Sequence, residues 1–147
     1  MTRNIYKSLS AISAVVLGIF AASSRLYAID GNSRYFAYGV GQRTCEEYIK
    51  MREKRLDTLE QQHPRYTKDE LYEIVDKVIE HWIAGFLTAH NLYVSDTYDL
   101  VGKLTMDDLK LRIERSCRAN TKQYVAEAMI TLAQELHPQR VKADSDK

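Results

Sequence analysis

This chain is short of the residues that usually mark chemistry. Its 147 residues include two cysteines, four histidines and two prolines. Neither cysteine stands in a Cys-x-x-Cys or a Cys/His cluster, which excludes the common sequence forms of a redox dithiol or a structural zinc site. His81 and His90 are nine apart, on opposite sides of any helix that holds both, so they cannot share a metal through it. A Gly-rich phosphate loop, Gly-x-Ser-x-Gly and His-Glu-x-x-His are all missing. No residue is thereby marked as nucleophile or base. No cofactor or metal is called for, and the expectation is a protein that is not an enzyme.

An excess of one charge is lacking as well. Lys plus Arg number 21 and Asp plus Glu 20, which gives no electrostatic reason for nucleic acid as a partner. With 28% charged and 10% aromatic residues the composition is that of a folded domain rather than a disordered one. Nor is there an apolar run of membrane-spanning length. The longest, from Leu9 to Ala22, covers 14 residues where roughly 20 are needed. Preceded by Arg3 and Lys7 and followed by Leu26-Tyr27-Ala28, it reads as an export signal over residues 1–28. Its removal takes Arg3, Lys7 and Arg25, leaving 119 residues with 18 basic and 20 acidic side chains and no membrane span. The expected location is the periplasm.

Export gives the cysteines their meaning. An oxidising compartment and one possible pairing predict a Cys45–Cys117 disulfide. Seventy-one residues lie between them, so the bridge removes about 4 kcal/mol of unfolded-state freedom in the chain-entropy model.

Residues 29–43, with Gly31, Gly39 and Gly41, show no helical period and read as an irregular arm. Residues 44–137 read as a helical domain. Thr44 with Glu47, Thr67 with Glu70, Thr105 with Asp108 and Asn120 with Gln123 are each spaced as a helix-opening box. The first helix carries Cys45, Tyr48, Ile49, Leu56 and Leu59 on one side, interrupted by Arg52, and stops before Pro64. The second has the strongest stripe: Leu71, Ile74, Val75, Val78, Ile79, Trp82, Ile83, Phe86 and Leu87. Lys68, Asp69, Glu73, Asp76, Lys77 and Glu80 read as its solvated face. Residues 91–104 form the longest connection. The third helix places Leu109, Ile113 and Cys117 together, and the fourth runs from Val125 to Leu136 before Pro138. Residues 138–147 read as a polar, frayed tail. The fold class is all-α: a compact four-helix domain closed by one disulfide.

Trp82, Gly85 and Phe86 are the candidate core of the long helix. Mid-helix glycine costs about 1 kcal/mol relative to alanine, so Gly85, with Ala84 and Ala89, is expected to form a notch for close helix packing. The adjacent carboxylates Glu46-Glu47 and Asp107-Asp108 sit in first helical turns, where interaction with free amides and the dipole accounts for them without an acid/base role. Tyr35, Tyr38, Tyr93 and Tyr98 fall outside the predicted helices and form the candidate recognition surface, since tyrosine supplies large contact area at low entropy cost.

Thr44-Cys45-Glu46-Glu47-Tyr48-Ile49 resembles the Thr-Cys-acidic-acidic-aromatic-aliphatic opening of the periplasmic acid-stress chaperones HdeA and HdeB. Cys117, followed by Arg118-Ala119-Asn120-Thr121-Lys122 and an amphipathic helix, is similar to their second half. The resemblance covers residues 44 to about 136, and implies a non-enzymatic holdase, dimeric and inert near neutral pH, that acid opens to bind unfolding clients. Trp82-Ile83-Ala84-Gly85-Phe86-Leu87 also looks like the aromatic-glycine helix of secretion-system immunity proteins of the Rap/Tai kind. That likeness implies a binding inhibitor of one toxin. The partner is accordingly a set of protein clients or a single protein, and an enzyme with a dispersed site is the third reading.

Overall fold

The computed structural model describes residues 35–55 and 57–142. The expected signal at 1–28, the first part of the arm and residues 143–147 lie outside the described residues. The chain divides into two units, Met1–Tyr35 and Phe36–Lys147, and the helical fold belongs to the second.

It is all-α: α1 (Cys45–Arg52), α2 (Asp57–Gln62), α3 (Lys68–Tyr93), α4 (Met106–Ala119) and α5 (Val125–Leu136). The three threonine boxes form as their spacing predicts. At α3 the Thr67 hydroxyl accepts the Glu70 N–H at 3.3 Å while the Glu70 carboxylate accepts the Thr67 N–H at 2.8 Å. The boxes at Thr44 and Thr105 match it. Each satisfies two amide groups that have no partner inside the helix.

Four local expectations change. The first helix is two. It ends at Arg52 because Lys54 turns left-handed, at φ +52°, and Lys54 and Arg55 donate back to Met51 and Lys50 at 3.3 and 2.9 Å, closing the helix. Among the described residues the domain therefore has five α-helices, with α2 restarting at Asp57. The long helix runs on through Tyr93, shortening the connection after it.

Asn120 and Gln123 open nothing. Asn120 ends α4, and α5 begins beyond Tyr124, whose N–H meets the Glu127 carboxylate at 2.8 Å. Residues 121–125 are drawn instead against the start of α1: Cys45 donates to Gln123 at 2.8 Å and Val125 to Arg43 at 2.9 Å. The frayed tail is in fact anchored as far as Val141, whose N–H donates to Asp99 at 2.8 Å while Asp99 donates back at 3.1 Å. Arg140 reinforces that contact through the Asp96 carboxylate at 2.8 Å.

The core gathers Tyr48 of α1, Ile79 and Ile83 of α3, Leu109 and Ile113 of α4, and Val125 and Met129 of α5. Leu100 fills it from the connection after α3. The disulfide Cys45–Cys117 is formed, with both residues fully buried and their Cα atoms 4.7 Å apart. It staples α1 to α4. Among the described residues no helix is long and apolar enough to cross a membrane.

Candidate functional site

Lys110 is the residue that the sequence reading missed. It lies on α4 between Leu109 and Ile113, on the core side of the helix, and only 3% of it is exposed. A buried ammonium is tolerated only with close counter-charges. Lys110 Nζ has three: Asp76 at 2.8 Å and Glu80 at 3.0 Å from α3, and Asp107 at 2.9 Å from its own first turn. Asp76 and Glu80 are thus no mere solvated face; α3 turns them toward α4.

Arg52 completes the cluster from α1. Its guanidinium meets Asp76 at 2.6 Å and Glu114 of α4 at 3.8 Å. The interruption in the apolar stripe of α1 is therefore the residue that joins α1 to α3. Beneath it, the buried Tyr48 hydroxyl donates to the Lys110 carbonyl at 3.3 Å, and burial raises the phenol well above its usual pKa. A cavity of about 320 Å³ opens over the cluster, lined by Met51, Arg52, Tyr72, Asp76, Asp107 and Lys110 among others.

Burial works against the Lys110 charge, but the hydrogen bonds it donates to Asp76, Asp107 and Glu80 outweigh it and raise its pKa above the ordinary lysine value. Glu80 moves the other way. Lys77, and after it Lys110, hold its carboxyl down at about 2 against an ordinary 4.5. Chemically the arrangement is a clamp. Three helices are tied by ion pairs that exist only while the carboxylates are ionised.

The predicted site residues fare unevenly. Trp82 and Phe86 are partly buried and pack against the core, their rings 6.2 Å apart. Gly85 is a correction: it is exposed, and a Cβ built on it meets nothing within 4 Å, so no helix packs into a notch there. Its place on α3 is the outward face shared with the half-exposed Ile74 and Val78, which the nine-residue stripe had wrongly joined to the core.

Tyr35, Tyr38, Tyr93 and Tyr98 are all exposed, Tyr93 at 87%. Tyr93, however, is the last residue of α3 rather than part of a loop. Tyr38 meets Phe36 edge to face at 5.0 Å. His90 stacks on Phe86 and faces His137, and among the described residues its buried Nε2 meets no hydrogen-bond partner. Burial and then His137 lower its pKa. Glu47 and Asp108 serve as caps, as their positions in first turns predict. Among the described residues no group of three His, Cys, Asp or Glu is placed to hold a metal ion.

Against known proteins, no family model, curated protein or solved structure matches this chain.

Proposed function

We propose that this protein is a non-enzymatic, periplasmic client-binding protein that acid opens, in the manner of the HdeA and HdeB chaperones its cysteine-flanking segments resemble. One relationship supports this above all. The disulfide ties α1 to α4, whereas the polar ties from α3 to both of them run through Asp76 and Glu80. Acid protonates carboxylates and leaves disulfides alone. Protonation would strip Lys110 and Arg52 of their counter-charges, and an uncompensated buried ammonium is strongly destabilising. The helix released is α3, which carries Leu71, Ile79, Ile83, Trp82 and Phe86. The stapled pair would keep the opened chain compact enough to reclose.

The global charge works in the same direction. Without residues 1–28, protonation of every carboxylate and histidine moves the side-chain charge from −2 to about +22. Such repulsion loosens the fold and keeps client complexes soluble.

The inhibitor reading has its own support in the aromatic residues exposed at rest, Phe36, Tyr38 and Tyr93. One experiment separates the two. Light scattering of an unrelated periplasmic protein is followed at pH 2 to 3, with and without this one, and again after return to pH 7. Suppression confined to acid is the expected result. No suppression at several-fold molar excess, with a single stoichiometric partner captured from periplasm at pH 7, overturns the chaperone in favour of the inhibitor.

A further inference from the structure

The arm ahead of α1 is more than a lead-in. Residues 39–42 form a single 3-10 turn, Gly39–Gln42, that packs against both α3 and α5, with Val40 and Gly41 buried. Nothing in this stretch is charged. From Phe36 to Gln42 the sequence is Phe-Ala-Tyr-Gly-Val-Gly-Gln. Among the described residues its hydrogen bonds stay local: Gly41 N–H to the Tyr38 carbonyl at 3.2 Å and Arg43 N–H to the Val40 carbonyl at 3.0 Å. None reaches α3 or α5. The first anchoring bond comes one residue later, where the Arg43 carbonyl accepts from Val125 at 2.9 Å.

What holds the stretch is apolar fit. Gly39 takes φ +58°, a left-handed conformation that glycine adopts without strain, and this aims the turn at Trp82. Gly41 then lies so close to the indole that a Cβ there would stand 2.5 Å from Trp82 Cζ2. Val40 supplies the one buried side chain. Because no backbone hydrogen bond crosses from residues 36–42 to α3 or α5, the stretch can leave its seat without breaking one.

We propose that residues 36–42 are an autoinhibitory strap, occupying an apolar seat between α3 and α5 that, once vacated, takes a short uncharged apolar segment of an unfolded protein. The inference rests on the client-binding reading and names its surface. The strap shows what the seat accepts: uncharged backbone with an aliphatic side chain flanked by small residues. Short glycine-flanked aliphatic segments are exposed in unfolded chains and buried in folded ones, so the seat selects for the unfolded state.

The test uses the full chain at pH 7 with a fluorescently labelled, reduced and carboxymethylated protein as a permanently unfolded probe. Gly41→Ala forces the strap away from Trp82, and Val40→Ser removes its buried anchor. Each variant should bind the probe at least tenfold more tightly than the parent, with a red shift of Trp82 emission. A synthetic peptide of residues 36–43 should displace the probe.

Variants that keep the parent's helical circular dichroism and its disulfide yet bind no more tightly overturn the strap. So does failure of the peptide, in large excess, to compete. Should Gly41→Ala not fold, Val40→Ser decides. The two proposals fail separately: acid suppression by the parent with no gain in the variants removes only the strap. A tenfold gain at pH 7 without acid suppression removes only the acid trigger.

Discussion

Lys110 Nζ lies 2.8 Å from Oδ2 of Asp76, and Asp76 Oδ1 lies 2.6 Å from Arg52, so one carboxylate on α3 answers two cations on two other helices. Removing the carboxylate and removing the ammonium are therefore unequal acts. Asp76→Asn leaves the buried ammonium short of charge and should cost about 2 kcal/mol, below the usual figure for a buried pair because Asp76 is a third exposed. Lys110→Met removes the buried charge itself, while Asp76 keeps Arg52 and Glu80 keeps Lys77. It should stay within about 1 kcal/mol of the parent at pH 7. Urea denaturation of both variants checks the asymmetry, and equal losses would contradict it.

Stability should decline as the pH falls from about 4.5 towards 2. The direction follows from the carboxyls that folding depresses: Glu80 to about 2 through Lys77 and Lys110, and Glu47, Glu70 and Asp108 through the backbone N–H groups of Thr44, Thr67 and Thr105. A group with a folded pKa below its unfolded one stabilises above the unfolded value and loses that contribution on protonation. Glu80→Gln should make the decline shallower. Denaturation midpoints measured at steps from pH 6 to pH 2 test this, and identical slopes in parent and variant would refute the role given to Glu80.

Cys117→Ser should destabilise the domain by about 4 kcal/mol, because the bridge closes a span of 72 residues between two fully buried positions. Denaturation of parent and variant under non-reducing conditions measures it. A loss below 1 kcal/mol would mean that the unfolded chain is already restricted near these positions.

Gly85→Ala should stabilise the protein by about 0.5 to 1 kcal/mol, since the glycine is exposed in mid-helix with open space where the methyl would go. Thermal melts of the two proteins decide this. Destabilisation instead would show that the backbone at Gly85 is approached by something in solution.

Legibility of the fold followed the range of the interaction. Thr44, Thr67 and Thr105 could be read as helix starts because the bond that caps each helix joins residues three apart. The Cys45–Cys117 pair could be read because the chain has only these two cysteines and its start reads as an export signal. Asn120 with Gln123 carried the same local pattern and misled, since backbone pairing with residues 43–46, far off in sequence, had a stronger claim on that segment. The end of α1 was hidden for a related reason: its left-handed stop falls on Lys54, a residue type with no preference for that conformation.

The candidate site was legible only in fragments. Arg52 stood out as a charge in an apolar stripe, and Lys110 could have stood out in the same way between Leu109 and Ile113. Their partners could not be read. Asp76 lies 24 positions from Arg52 and 34 from Lys110, and its choice of face is fixed by how α3 lies across α1 and α4. On its own helix it is one of several carboxylates at the edge of a stripe.

By itself, then, the sequence determined the helical class, three of the helix starts and the identity of the disulfide, because hydrogen bonds across one turn and a unique cysteine pairing are specified by residues a reader can enumerate. Tertiary packing decided which charges face inward, that Gly85 faces out, and that the arm lies across Trp82. Those outcomes depend on the angle and register at which helices meet, set by the whole core at once rather than by any single segment.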